Sequence, residues 1–478
     1  MDFEQQFSIH SAGQGFCYSG WLKFQKAEAF RFVFDCGSNN KSALSREIKE
    51  LRLRGLTDRG QLDLLVISHF DADHVNMIQE LLEGGIIVKK LVMPFLMFHE
   101  RLFLVLKQFL GRKRISDAEI DSFRIMLDPL GTLRDNLGGE GGIFLISGDD
   151  QPIPGGQSTT GEIAEEESQK AYLRDDFASF NDRPSQGFSF DFSRSADTIE
   201  AAQFFLQTTD AQLKVVSDSQ KAFVSVGNER LMEFLFYKKD IGIHEEEFFA
   251  TVEQLFYEKE GITPHDPDLI NKVVDTLKAG YRSAGPVRRL FNEAARKVGV
   301  PPSTVIDLNN TALCMLHRNT PGLLARIITT NEQSYRNFKA ETFTYHHFKS
   351  HTQMLPVWPI YHMLGLGYPN VLLTSDSFLK SSGEIHAFKN KYRHYLDDFW
   401  LIQIPHHGSA KSSDNDFFGI VPPECTYFVN YGLNNRHGHP SLSVMQKVLP
   451  PNWIGPYLIH EYQGFQFHYG INHEPLYT

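Results

Sequence analysis

Leu64-Leu65-Val66-Ile67-Ser68-His69-Phe70-Asp71-Ala72-Asp73-His74 is the stretch that decides how this chain is read. Four apolar residues predict a buried strand, and the run after them predicts a loop with four metal-binding side chains, His69, Asp71, Asp73 and His74. Alternation along an extended segment puts His69 and Asp71 on one side. Asp73 and His74 then turn into a helix predicted over residues 75–82. Such spacing serves two neighbouring divalent cations, with two side chains toward each. Asp73 would also suit the N-cap of that helix, because a carboxylate there accepts from unpaired N–H groups. A cap, however, accounts for one acid and leaves two histidines and a second aspartate unexplained.

Further donors of the same kind stand at the ends of other predicted strands. Residues 371–374 form an apolar strand that runs into Ser375-Asp376, and an acid at that edge can bridge two cations. Residues 399–404 lead into Pro405-His406-His407-Gly408-Ser409, two imidazoles on a glycine turn. The strand 427–430 precedes Asn434-Asn435-Arg436-His437-Gly438-His439-Pro440. Each alone reads as a hydrogen-bonded turn. Their recurrence at strand ends is the argument, because functional sites are commonly built from loops at one edge of a sheet. His346, His347 and His351 lack a clear strand context and are not counted among the ligands.

At 478 residues the chain exceeds one ordinary core. Strands are predicted at 16–24, 30–35, 62–67 and 88–93, then helices at 100–110 and 116–127, the second opening with Ser116 and Glu119 at capping-box spacing. The Ser-, Gly- and acid-rich segment 148–200 reads as a long mobile loop. Strands return at 212–216, 222–226 and 231–237, helices fill 244–299, and further strands follow at 312–316 and 457–462. The expected division is residues 1–98 as the first half of a core, 99–302 as a mostly helical insertion with core strands at 212–237, and 303–478 as the second half.

No window approaches the roughly 18 apolar residues a membrane helix needs, so no membrane partner is expected. The segment Met1-Asp2-Phe3-Glu4 carries no secretory pattern, and Cys17, Cys36, Cys314 and Cys425 are scattered without metal-site spacing. A reducing cytoplasm is the expected location. The net charge of −11 opposes nucleic-acid binding, so a polyanion would have to meet a local basic patch. Arg112-Lys113-Arg114 is one candidate. Arg288, Arg289, Arg296 and Lys297 are another, but they lie opposite the apolar stripe Val287, Leu290, Phe291, Ala294 and Val298 and read as a solvated face.

Taken in order, the His-x-Asp-x-Asp-His loop, the strand ending in Asp376, the Pro-His-His-Gly-Ser turn and the turn ending in His439-Pro440 resemble the metallo-β-lactamase superfamily. More narrowly, they resemble the hydrolase domain of the competence protein ComEC. Gly13-Gln14-Gly15, Phe34-Asp35-Cys36-Gly37 and Asn309-Asn310 fit the same pattern. The resemblance covers residues 1–98 and 303–465 and takes in the strands of 212–237. It implies an α/β fold, an αββα sandwich with a large helical insertion, whose site lies at one edge of the two sheets.

It also implies a metal-dependent phosphodiesterase or nuclease acting on nucleic acid, with DNA as the expected substrate and two divalent cations, Mn²⁺ or Zn²⁺, as cofactors. By this carry-over His69 and Asp71 hold one cation, Asp73 and His74 the other, Asp376 bridges them, and His439 completes the second. The pair would lower the pKa of a shared water to give a bridging hydroxide, which Asp73 would orient. His406 or His407 would protonate the leaving alcohol or act as a further ligand.

Two departures stand out. Asp71 occupies a position where the superfamily usually has histidine, and its usual histidine between the first cluster and the bridging aspartate has no counterpart. An oxygen-richer donor set favours Mn²⁺ more than an all-histidine site would, with Zn²⁺ still open. The membrane channel of ComEC is absent. Two other functions remain open, hydrolysis of a small phosphodiester such as a cyclic nucleotide, and a non-catalytic role in which the helical insertion docks a protein partner.

Overall fold

The computed structural model describes residues 3–25, 27–56, 60–110, 115, 117–149, 187–193, 197–199, 213–239, 243–264, 266–299, 312–320, 323, 338–346, 353–355, 370–413, 415–420, 425–448 and 456–471. Its strands are β1 (Phe3–Ile9), β2 (Gly15–Phe24), β3 (Phe30–Ser38), β4 (Gln61–Leu62), β5 (Leu64–Val66), β6 (Ile87–Pro94), β7 (Leu137–Ser147), β8 (Phe188–Phe192), β9 (Asp197–Ile199) and β10 (Leu213–Ser217). There follow β11 (Lys221–Val226), β12 (Glu229–Tyr237), β13 (Cys314–Asn319), β14 (Phe338–His346), β15 (Gln353–Leu355), β16 (Val371–Leu373), β17 (Leu401–Gln403), β18 (Thr426–Asn430), β19 (Tyr457–Ile459) and β20 (Gln463–Ile471).

Two sheets result. The first runs β15-β14-β20-β1-β2-β3-β5-β6-β7-β10-β9, with β4 paired to β6, and the second β19-β18-β17-β16-β13-β12-β11-β8. Alternation of apolar side chains explains how they stack. Phe32 and Phe34 of β3 and Leu64 and Val66 of β5 meet Phe234, Phe236, Leu373 and Phe428 of the other sheet in one apolar core. Their neighbours Val33 and Leu65 point the opposite way, into a second apolar core that also takes in helices Phe98–Gln108, Ile243–Glu260, Leu269–Gly280 and Ala284–Val298. Leu316, Leu372 and Ile402 likewise face Phe388 and Tyr392 of the helix side of the second sheet. The layers are therefore α, β, β and α, the sandwich expected from the sequence. Each buried Phe or Leu in such a core contributes about 1.5–3 kcal/mol over an exposed one.

β3, β5 and β6 run parallel, as do β16, β17, β18 and β19. The carboxyl ends of β5, β16 and β17 consequently deliver Ser68-His69, Ser375-Asp376 and His406-His407 to one edge, where Ser68 Oγ lies 2.7 Å from Ser375 Oγ across the sheets.

The central third holds more strand than expected, since β7, β8 and β9 all join sheets. β8 corrects the loop reading of 148–200 at its described end, and residues 150–186 lie outside the described residues. The helical insertion is present, and Gly299 ends its last helix with a left-handed φ of 75°. In that helix Val287, Leu290, Phe291 and Ala294 are buried, while Arg288, Arg289, Arg296 and Lys297 are exposed. The Arg112-Lys113-Arg114 patch, Ser116, His347, His351 and the Asn309-Asn310 pair lie outside the described residues. No helix among the described residues is long and apolar enough to cross a membrane.

Candidate metal centre

The predicted helix 75–82 is two short helices, Ala72–Val75 and Ile78–Leu81. Asn76 breaks it by bonding β3: its Oδ1 accepts from Ser38 N at 3.0 Å and its Nδ2 donates to Ser38 O at 3.0 Å. Asp71, not Asp73, occupies the N-cap position and makes no side-chain cap bond. Gly37 lets β3 touch this turn, because a Cβ there would come within 2.5 Å of His74 N.

His74 is fully buried, with Nδ1 2.8 Å from Asp35 Oδ2 and Nε2 3.4 Å from Asp376 Oδ1. His69 Nε2 is 4.0 Å from Asp376 Oδ2. His407 Nε2 is 3.6 Å from Asp376 Oδ1 and 3.8 Å from Asp73 Oδ2. His406 Nε2 is 3.7 Å from Asp376 Oδ2. Asp35, His69 and His74 form one compact donor group, and Asp73, His74 and His407 another.

Behind the imidazoles the hydrogen bonds fix which nitrogen is free. Asp35 Oδ1 accepts from Ser68 N at 2.7 Å, and its Oδ2 accepts from both Ser68 Oγ and His74 Nδ1. With its proton given to Asp35, Ser68 Oγ accepts from His69 Nδ1 at 2.9 Å. His407 Nδ1 lies 2.9 Å from the Asn430 carbonyl, which can only accept. In each of the three rings Nδ1 is engaged by these bonds, so Nε2 is the nitrogen turned toward the pocket. Those three Nε2 atoms are buried without a hydrogen-bond partner.

Charge follows the geometry. Burial pushes the Asp376 carboxyl up, but His406, His407 and His74 outweigh it and hold it well below the usual carboxylate range. Burial, then the neighbouring His74, lowers His69 to about 4, and burial lowers His407. His74 is the exception: burial works against its charge, yet Asp376 and Asp35 together raise it well above the usual imidazole range. The pocket thus calls for positive charge between Asp376 and Asp35.

A divalent cation fits these donors. Hydrogen bonds would close the gaps to about 2.7–3.2 Å, whereas two ligands about 2.1 Å from one zinc-like ion stand about 3–3.5 Å apart. The observed Nε2 to Asp376 distances, 3.4 Å for His74, 3.6 Å for His407, 3.7 Å for His406 and 4.0 Å for His69, all exceed the first range, and the nearest falls in the second.

Of the eight residues singled out in the sequence, His69, His74, Asp376, His406, His407 and Asp73 come together around one carboxylate. Asp71 joins neither donor group, and its Oδ1 accepts from Gln108 Nε2 at 3.3 Å. His439 also joins neither, though its ring centroid is 5.9 Å from that of His406 and its Nδ1 is buried without a hydrogen-bond partner. Burial, then His406 and His407, lowers it to about 4. Sequence reasoning placed Asp35 in a matching motif but gave it no role at the site, and it missed Ser68 and Gln108. Asp35 is the extra residue of a bulge, since Cys17 pairs with Cys36 and Tyr18 with Phe34, and its φ of 56° is left-handed. A bulge of this kind re-aims the side chain it carries. Ser375, His406 and His407 have left-handed φ values as well, 50°, 48° and 54°. Such backbone costs on the order of 1–3 kcal/mol per residue and gathers at functional sites.

No protein-family model matches the chain, and no curated protein does. Among solved structures it is similar to the metallo-beta-lactamase fold protein YhfI from Bacillus subtilis, 11% identical with a TM-score of 0.17, over 48% of this chain and 61% of that one. A long form RNase Z from yeast is also 11% identical with a TM-score of 0.17, over 50% of this chain and 27% of that one. The chain thus spans less than two thirds of either structure.

Proposed function

We propose that this chain is a hydrolase that uses divalent cations to cleave phosphodiesters, with nucleic acid, and DNA in particular, as its substrate. One observation carries the reading: the unpartnered Nε2 atoms of His69, His74 and His407 converge on Asp376. A buried polar atom left unsatisfied costs about 1–3 kcal/mol. Three aimed at one carboxylate make sense when a bound cation repays that cost.

In this reading His69 would serve one cation and Asp73, His74 and His407 the other, with Asp376 offering an oxygen to each, and Asp71 would join the His69 side by giving up its bond to Gln108. His439 is the remaining donor on the His406 side. Bound there, Mn²⁺ or Zn²⁺ supplies Lewis-acid polarisation and brings the pKa of water toward neutrality. Asp73, whose Oδ2 accepts from Asn39 Nδ2 at 3.4 Å, orients the attacking water. His406 is half-buried, and its Nδ1 is held 2.8 Å from Ser412 Oγ. It protonates the leaving oxygen, a contribution of about 10² to 10⁴-fold in rate.

The motif resemblance to the ComEC hydrolase domain supports DNA. The net charge of −11 supports a small phosphodiester instead. Incubation of the purified protein with Mn²⁺ or Zn²⁺ and either plasmid DNA, single-stranded DNA or a cyclic dinucleotide separates them. Degradation of DNA that disappears in Asp73→Ala is the expected result. Turnover of the dinucleotide alone would move the substrate to the second class, and protein that binds no cation and turns over nothing would end the enzymatic reading.

A further inference from the structure

We infer that Gln403, a residue of β17 whose amide bonds Ser375 and Asn430, positions Asp376 and His407 together and so sets the geometry of the cation site. The inference rests on the function proposed above. Gln403 is fully buried in an otherwise apolar strand, where an amide is tolerated only if its bonds are made. Both ends of the amide are engaged. Its Oε1 accepts from Ser375 N at 2.8 Å, and its Nε2 donates to Asn430 Oδ1 at 2.9 Å. Because Ser375 N can only donate, the amide has one orientation.

The first bond holds a strained turn. Ser375 sits at φ 50° immediately before Asp376, so the aim of that carboxylate depends on keeping Ser375 left-handed. Gln403 takes its N–H, His406 N donates to its carbonyl at 2.9 Å, and its Oγ meets Ser68 Oγ at 2.7 Å. Ser68 in turn holds His69.

The second bond reaches the other side of the site. Asn430, fixed by Gln403, receives His407 Nδ1 on its carbonyl, and its Nδ2 donates to Gly15 O at 2.7 Å in the opposite sheet. Gly15 backs directly onto the Asp73 turn, where a Cβ would meet Asp73 O at 2.6 Å. A single amide thus ties the ends of β16 and β18 to each other and to β2. An apolar side chain would fill the same place in the sheet and make none of these bonds.

Titration with Co²⁺ of the wild-type chain, Gln403→Met and Gln403→Glu, read as dissociation constants and visible absorption, tests the role. Gln403→Met keeps the length and loses both bonds. It is expected to bind Co²⁺ 10- to 100-fold more weakly, as losses of ligand-orienting partners do, with an altered absorption band. Gln403→Glu keeps an acceptor for Ser375 N but turns an oxygen toward Asn430 Oδ1. It is expected to weaken the cation on the His407 side and leave the other at wild-type affinity. If Gln403→Met does not fold, Gln403→Glu decides alone. Wild-type affinity and spectrum in the folded variants would overturn the proposal while leaving the cation site standing. A wild-type chain that takes up no cation would overturn both.

Discussion

Asp35 holds two imidazoles at once, His74 directly and His69 through Ser68. Every lone pair it uses faces a donor, so Asp35→Asn must turn an amide N–H toward one of them. The variant is expected to bind metal 10- to 100-fold more weakly and to lose about 1–3 kcal/mol of stability. Chelator competition and urea unfolding measure the two effects. The histidines and aspartates that meet at Asp376 were legible because two donors at a strand end are rare without purpose. The role of Asp35, though its motif was noted, and Ser68 altogether were not, since each is a lone polar residue beside an apolar strand. What makes Asp35 functional is its bulge, a backbone event that side-chain alternation does not report. Gln108 was hidden for another reason, as it ends a helix 37 positions from the acid it meets.

At the scale of elements, strands dense in apolar and aromatic residues were found nearly to the residue, β2 and β12 among them. β1 and β20 went unread, because polar residues such as Gln5, Gln6, Gln466 and His468 interrupt their apolar pattern. The helix Phe98–Gln108 carries a testable consequence of its own. Glu100, at its first turn, accepts from Met97 N, yet burial pushes its carboxyl up to about 7. The folded chain therefore binds this proton more tightly than the unfolded chain, whose Glu titrates near its ordinary value of about 4.3. Stability linked to the group is full below that value and falls as pH rises toward 7. Glu100→Gln, which still offers an acceptor to Met97 N, is expected to flatten this slope and to exceed the wild type at pH 8 by on the order of 1–3 kcal/mol. Denaturant unfolding at pH 5 and pH 8 checks it.

Over the whole molecule, the two sheets meet at the cation site through Ser68, Ser375, Asn430 and Gly15, so a ligand bound there stabilises the sandwich as a unit. Saturation at about 1,000 times the dissociation constant is worth about 4 kcal/mol. Melting is therefore expected to shift upward by several degrees on adding Mn²⁺ or Zn²⁺ and back down with chelator, and Asp376→Ala is expected to abolish the shift. The αββα class was legible because the metal loops and apolar strands arrive in a telling order. The contribution of β7 to β9 to the sheets was not, since β7 follows a helical periodicity and β8 and β9 lie in a segment whose Ser, Gly and acidic residues read as a loop.

β1 is flanked by β2 on one side and by β20 on the other, with Phe3 opposite Ile471 and Ile9 opposite Phe465. Strands more than 450 positions apart in the chain are neighbours. A growing polypeptide leaving the ribosome therefore exposes one bare flank of β1 until residue 471 has emerged. An unpaired strand edge of that sort invites intermolecular pairing. For this protein the vulnerable interval spans the synthesis of everything between β1 and β20, and chaperone demand should track how fast β20 is made.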